Sequence, residues 1–330
     1  MIRLGLLGCD RIGQVHAGSL SRIGEAQLVA VADAVPEAAK TLASRHSAQV
    51  RDSEAILSDA DIDAVIIATP TSLHFDQIHA AAISGKAIFC EKPIDLSSER
   101  ASICAEAVAE AGVTFFTGFN RRFDPSFAYL EAQIRTGVIG EVEMIVITSR
   151  DPNPPPISYV ETSGGLFRDM MIHDFDMARF LLGEEPAELF ATGSCLVDPA
   201  IGAAGDIDTA AVTLQTAKGK LCQINNSRRA TYGYDQRIEV HGAGGMLRAG
   251  NHPEHFVERA GTGGFTHAPN MHFFLERYEA AYLLEMRAFL DAIRKGIKPS
   301  PGIEDGVAAQ RLADAAARSH ALGMPLKLSR

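Results

Sequence analysis

From Ile2 to about residue 120 the chain alternates short apolar runs rich in β-formers with longer segments of helical periodicity. "IRLGLLG", "AQLVAVAD", "DAVIIAT", "KAIFCEK" and "VTFFTGF" are the strand patterns. Residues 12–23, "PEAAKTLASRH", "SLHFDQIHAAAISG" and "SSERASICAEAVAEAG" are the helical ones. Strict alternation of this kind demands parallel strands, because each return to the same sheet edge needs a helical crossover. The first third is therefore expected to be an α/β, doubly wound parallel sheet.

From about residue 140 the pattern changes. "EVEMIVITSR", "AELFATGSCLV", "TAAVTLQTAKGKLCQINNS" and "DQRIEVHG" are strand-like, with few helical segments between them. "AKGK" is a hairpin turn, so this half predicts an α+β domain with a large, mostly antiparallel open sheet. "DPNPPPI" predicts a stiff extended loop after a strand, since four prolines exclude a helix or strand interior. The tail returns to helix in "FLERYEAAYLLEMRAFLDAIRKG" and "IEDGVAAQRLADAAARSHALG", each closed by glycine. A length of 330 residues suits two domains, divided at 121/122.

Composition removes several classes of function. A formal charge of −10 without a basic cluster opposes nucleic-acid binding, which rests on neutralising phosphates. No run approaches the roughly 18 apolar residues of a membrane span, and the start lacks the layout of a secretory signal. Cys9, Cys90, Cys104, Cys195 and Cys222 form no C-x-x-C pair, which points to reduced thiols and a cytoplasmic location.

"GLLGCDRIG" joins the first strand to the first helix, with Gly8 and Gly13 at the ends of a phosphate-binding turn that also contains Asp10, Arg11 and Ile12. Amide groups at such a helix start hold a pyrophosphate. Asp33, at the end of the second strand, stands where an acid takes the adenosine ribose hydroxyls. Ala34 follows it, so no adjacent arginine invites a 2′-phosphate and NAD is favoured over NADP. Asp10 occupies the place of the usual middle glycine. Its charge and Cβ predict weakened cofactor binding on an intact fold, with Arg11 offsetting some repulsion and the carboxylate free to cap the helix.

Two further stretches carry chemistry. "IFCEKPI" puts Lys92 at the carboxyl end of a strand, the edge where such sheets bind ligands, before a proline whose bond can be cis. In "GGLFRDMMIHDFDMARFLLG", Asp169, His173 and Asp176 fall at i, i+4 and i+7, one stripe of an apolar helix. Ionisable groups so placed should face a polar cleft, where they could serve acid–base chemistry or ligate zinc or iron.

Taken with "ATPTSLH", "EKP", "GFNRRFD" and the tail helix, these stretches resemble the glucose–fructose oxidoreductase/inositol dehydrogenase family over nearly the whole chain, nearest to its myo-inositol 2-dehydrogenase branch. The resemblance implies an N-terminal Rossmann domain for NAD(H), a C-terminal α+β domain for a cyclic polyol, a homotetramer and no metal. It implies Lys92, Asp169 and His173 as the catalytic group. Arg122, Asp176 and a tyrosine of "TYGYD" (Tyr234, with Tyr232 the alternative) would line the substrate pocket, Asn153 joining them. Thr69, Pro70, His74, Glu91 and Asn120 would border the dinucleotide. Another inositol stereoisomer, an aldose, or a non-catalytic sensing role remain alternatives.

Overall fold

The computed structural model describes residues 1–328, which divide into two compact units, one of 1–123 with 280–311 and one of 124–279 with the chain from 312. The sequence expectation of a single division at 121/122 differs in one respect: residues 280–311 return to the first unit. Their amphipathic pattern specified a buried face but not which core would receive it.

In the first unit β1 (Ile2–Leu7), α1 (Arg11–Ser21), β2 (Ala26–Ala32), α2 (Pro36–His46), β3 (Gln49–Val50), α3 (Ser53–Ser58), β4 (Ala64–Ile67), α4 (His74–Ile83), β5 (Ala87–Glu91), α5 (Ser98–Ala111) and β6 (Phe115–Gly118) follow in order. The strands form one parallel sheet in the order β3-β2-β1-β4-β5-β6. Strand order reverses between β1 and β4, so their carboxyl ends open a crevice at the phosphate turn. β4 and β5 are buried on both faces, which is why they read as unbroken apolar runs.

The second unit contains α6 (Pro125–Arg135), β7 (Val142–Arg150), α7 (Ile157–Val160), α8 (Leu166–Asp169), α9 (Ile172–Leu182), β8 (Pro186–Ser194), α10 (Pro199–Ala203), β9 (Thr209–Thr216), β10 (Leu221–Ser227), β11 (Asp235–Gly242), β12 (Gly245–Ala249), a small hairpin of β13 (Arg259–Gly261) and β14 (Gly264–Thr266), and α11 (Phe274–Arg277). Then come α12 (Glu279–Lys295), α13 (Ile303–Leu322) and β15 (Leu326–Lys327). The large sheet runs β12-β11-β7-β10-β9-β8-β15 and is antiparallel except between β7 and β10. One face carries Ile145, Ile147, Leu189, Leu214, Ile224 and Val240, all buried; on the other, Phe190, Thr192, Thr213 and Met246 are exposed.

Within the first unit α12 adds Met286, Phe289 and Leu290 to a core shared with Leu4, Leu6, Phe89 and Phe116. Thr117 fastens the following segment, its N–H donating to the Pro301 carbonyl at 3.1 Å and its hydroxyl to that of Gly302 at 2.7 Å.

Two helices expected to be continuous are divided. The tail pattern breaks at Tyr278, between α11 and α12. The Asp169–His173–Asp176 helix breaks at Met170 and Met171, whose N–H groups both donate to the Leu166 carbonyl before Asp174 restarts the ladder on Met171. The backbone at both methionines stays in the right-handed helical region.

Candidate active site

The phosphate turn needs its outer glycines. Gly8 leaves β1 with φ +94°, and a Cβ there would lie 2.4 Å from the Ala68 carbonyl oxygen; one on Gly13 would lie 2.0 Å from that of Gly8. Asp10 is different. Its φ of −76° and ψ of −166° are ordinary extended backbone, so the middle position requires no glycine to form the turn. Asp10 is exposed at the N-cap of α1, and its carbonyl accepts from Gln14 N–H at 3.0 Å. The expected side-chain cap is absent, because the Asp10 carboxylate makes no capping bond. Arg11 is exposed, and Ile12 packs against the core.

Asp33 is fixed beside this turn. Its Oδ2 accepts the Cys9 N–H at 2.6 Å and its Oδ1 the Val35 N–H at 2.7 Å. Burial, helped by the Asp33 charge, pushes the Cys9 thiol up to about 12, so no thiolate competes with an anion here. Amides at a helix start, glycines at the close approaches and a carboxylate on the neighbouring strand fit a dinucleotide.

β5 delivers the next group. Glu91 is buried, Lys92 half-buried, and the Lys92–Pro93 bond is cis. Glu91 Oε1 lies 2.7 Å from Nε2 of His16, a fully buried residue on α1, and Glu91 Oε2 accepts the Lys92 N–H at 3.3 Å. Gly118 makes room for that carboxyl group, since a Cβ there would lie 3.0 Å from it. His74 bridges two loops, with Nδ1 at 2.9 Å from the Pro93 carbonyl and Nε2 at 2.9 Å from that of Thr69; burial holds its pKa below the usual imidazole range. Thr69 donates its hydroxyl to Gln77 at 2.7 Å, Pro70 is exposed, and Asn120 is buried just beyond β6. Arg122 lies in the first unit, where Asp305 meets it at 3.0 Å.

In the second unit Asp169 ends α8 and His173 sits in the first turn of α9, half-buried. Tyr159 donates its hydroxyl to Asp169 Oδ1 at 2.8 Å, and both terminal nitrogens of Arg228 stand 3.4 Å from Oδ2. Arg228 also faces Asp206 at 3.7 Å. Asp176, expected on an open polar stripe, is instead buried, with Arg179 at 3.9 Å. Asp174 ties α9 to the sheet, accepting Ser149 Oγ at 2.5 Å and Asn226 Nδ2 at 2.8 Å. Tyr234 is buried against the rings of Phe273 and Tyr278. The Tyr232 hydroxyl is committed, donating to Asp235 at 2.7 Å and accepting from Arg150 at 2.9 Å. Asn153 is exposed in the proline-rich loop. Among the described residues no three His, Cys, Asp or Glu side chains cluster as a metal site would require.

Sequence reasoning passed over His16, Tyr159, Asp206 and Arg228. Of these only His16 left a local trace, a polar residue on the buried side of the first helix.

A doubly wound parallel sheet with this turn and acid, followed by an α/β domain bearing an Asp-x-x-x-His pair, defines a dinucleotide-dependent oxidoreductase. Residues 2–119 match the family model described as oxidoreductase family, NAD-binding Rossmann fold, and residues 131–328 that of the same family's C-terminal alpha/beta domain. The chain belongs to this family, the one of glucose–fructose oxidoreductase and inositol dehydrogenase. It is 55% identical over 318 residues to an inositol 2-dehydrogenase of Rhizobium meliloti, covering 96% of each chain. A myo-inositol dehydrogenase structure from Corynebacterium glutamicum superposes with a TM-score of 0.96 at 42% identity, covering 100% of this chain and 99% of that one. A scyllo-inositol dehydrogenase from Lactobacillus casei, solved with bound NAD(H) and scyllo-inositol, superposes with a TM-score of 0.93 at 30% identity, covering 99% of each.

Proposed function

We propose that the protein oxidises a ring secondary hydroxyl of myo-inositol to the ketone 2-keto-myo-inositol, as a step of carbohydrate catabolism. The observation that carries this reading is Asp169, with both oxygens held, ending one helix just before His173 in the first turn of the next, in a chain that also bears the NAD turn. NAD, held at Gly8–Gly13 and Asp33 and bordered by Thr69, Pro70, His74, Glu91 and Asn120, supplies the hydride acceptor when bound. His173 accepts the hydroxyl proton, because an imidazole titrates near neutrality. Asp169 fixes the ring tautomer and favours the imidazolium that forms. Lys92 stabilises the alkoxide as its proton leaves. Arg122, Asn153, Asp176 and Tyr234 hydrogen-bond the remaining hydroxyls, each of which would cost about 1–3 kcal/mol if buried unpaired.

NADH formation with myo-inositol, scyllo-inositol, chiro-inositol and D-glucose tests this directly. The highest kcat/KM is expected on myo-inositol. Preference for glucose would move the substrate class, and no turnover on any of the four would overturn the reading.

The protein assembles as a homotetramer that uses the open face of the large sheet, where Met144, Val146, Phe190, Leu221 and Met246 are partly or fully exposed among polar neighbours. A sedimentation mass equal to one chain at micromolar concentration would refute this. Five free cysteines suit a reducing cytoplasm, and no helix among the described residues is long and apolar enough to cross a membrane.

A further inference from the structure

Asp169 is anchored from two directions. Tyr159 lies on α7, just after the proline-rich loop, and its hydroxyl donates to Oδ1 at 2.8 Å. Arg228 follows β10, is 1% exposed, and presents Nη1 and Nη2 to Oδ2 at 3.4 Å each. Its backbone is fixed as well, the Arg228 N–H donating to the Asp208 carbonyl at 2.8 Å. Asp206 completes the set: it lies 3.7 Å from Arg228 and accepts the Leu166 N–H at 3.1 Å, at the start of the helix that ends in Asp169. Gly165 lets it come so close, since a Cβ there would lie 2.8 Å from Asp206 Oδ1.

A guanidinium buried between two carboxylates is a poor way to gain stability. Desolvating three charges offsets most of their attraction, and apolar replacements of similar volume often do better. What such a cluster supplies is direction. The donors approach different oxygens of one carboxylate, so its plane and its negative charge are both set. Tyr159 is 47% exposed, yet desolvation of its hydroxyl end and the Asp169 charge beside it raise its phenol above the usual range, so it stays a donor to Asp169.

The geometry points to Tyr159 and Arg228 as positioning residues that hold the Asp169 carboxyl group in a fixed orientation for His173. Neither is assigned a contact with substrate or cofactor. The inference rests on the roles given to Asp169 and His173 above. It separates Arg228 from a merely structural ion pair, whose loss would lower the melting temperature and leave the chemistry unchanged.

The test uses the full chain with NAD and myo-inositol, comparing Tyr159→Phe and Arg228→Lys with the wild type. Tyr159→Phe removes one hydroxyl, and Arg228→Lys keeps the charge but loses the fork. For a lost hydrogen bond to a charged group, kcat should fall about ten- to hundredfold. KM for inositol and the affinity for NADH should stay near wild type. The ring nitrogen signals of His173, read by NMR on histidine-labelled protein, should shift in both variants. Wild-type kcat together with an unmoved His173 signal in Tyr159→Phe would overturn the inference, even if Arg228→Lys fails to fold. If the wild type turns over no inositol, the functional reading fails, and the His173 signal alone decides whether Tyr159 and Arg228 position this pair.

Discussion

Nε2 of His16 lies 2.7 Å from Oε1 of Glu91, so a fully buried imidazole on the first helix is joined to the residue that precedes Lys92. The ring is packed edge-on against Phe89 and Tyr282, with centroids 4.8 and 5.9 Å away. Its other nitrogen, Nδ1, is buried without a hydrogen-bond partner. The contact with Glu91 is therefore the hydrogen bond by which the ring is held. The helix carrying the phosphate turn and the strand carrying the lysine are thereby locked into one frame. His16→Leu would leave the Glu91 carboxylate buried with one oxygen unmet and should destabilise the protein by about 2–3 kcal/mol. His16→Gln, which can still donate, should recover most of that loss in urea melts. Equal stability of the two variants would show that the bond contributes nothing.

Asp10 gives a prediction of opposite sign. Its backbone lies in a region open to any residue, and its side chain makes no capping bond, so Asp10→Gly should leave the melting temperature nearly unchanged. It removes a carboxylate from the turn proposed to hold the pyrophosphate. NAD should therefore bind about three- to tenfold more tightly by calorimetry, with the gain shrinking as salt is raised. An unchanged dissociation constant would show that Asp10 turns away from the ligand.

The contrast between these residues shows what the sequence could disclose. Strand and helix in the first unit were legible because both periods repeat locally, and α2 runs over Pro36–His46 as its pattern indicates. The phosphate turn and Asp33 were legible because their spacing is fixed by one strand–helix–strand unit. Partners brought together by the tertiary fold were not. Arg228 is 59 residues from Asp169, and Glu91 is 75 from His16, distances over which no periodicity carries information. β3 has two residues, both exposed, and so left no apolar signature. α6 went unread although Asp124 caps it, accepting the N–H groups of Ser126 and Phe127 at 3.1 Å each before Pro125 opens the first turn. The break at Met170 was hidden because both methionines are buried and apolar, as an unbroken helix would also require.

Asp208 should make stability pH-dependent. It accepts the N–H groups of Leu196, Val197 and Asp198 at 2.7, 2.7 and 3.0 Å, and the Thr209 hydroxyl at 2.9 Å. Burial alone would raise its pKa, but these donors outweigh it and the carboxyl is held below the usual range. A group depressed in the folded state contributes its full stability above the unfolded pKa, about 3.9, and loses it as pH falls through the folded value. Asp208→Asn should therefore cost about 1.5–3 kcal/mol at pH 7. The gap from wild type should narrow as urea melts are taken below about pH 4. A gap independent of pH would assign the loss to packing instead of charge.

Lys92 and His173 make separable demands on kinetics. If one stabilises the developing alkoxide and the other takes the proton, then Lys92→Ala and His173→Ala should each lower kcat by roughly 10²–10⁴. NADH should still bind if, as proposed, the pyrophosphate and ribose contacts belong to Gly8–Gly13 and Asp33. The two losses should be far from additive in the double variant, because residues that act on one proton transfer fail together. Near-wild-type turnover in either single variant would remove that residue from the mechanism. Full additivity would mean that the two act on different steps.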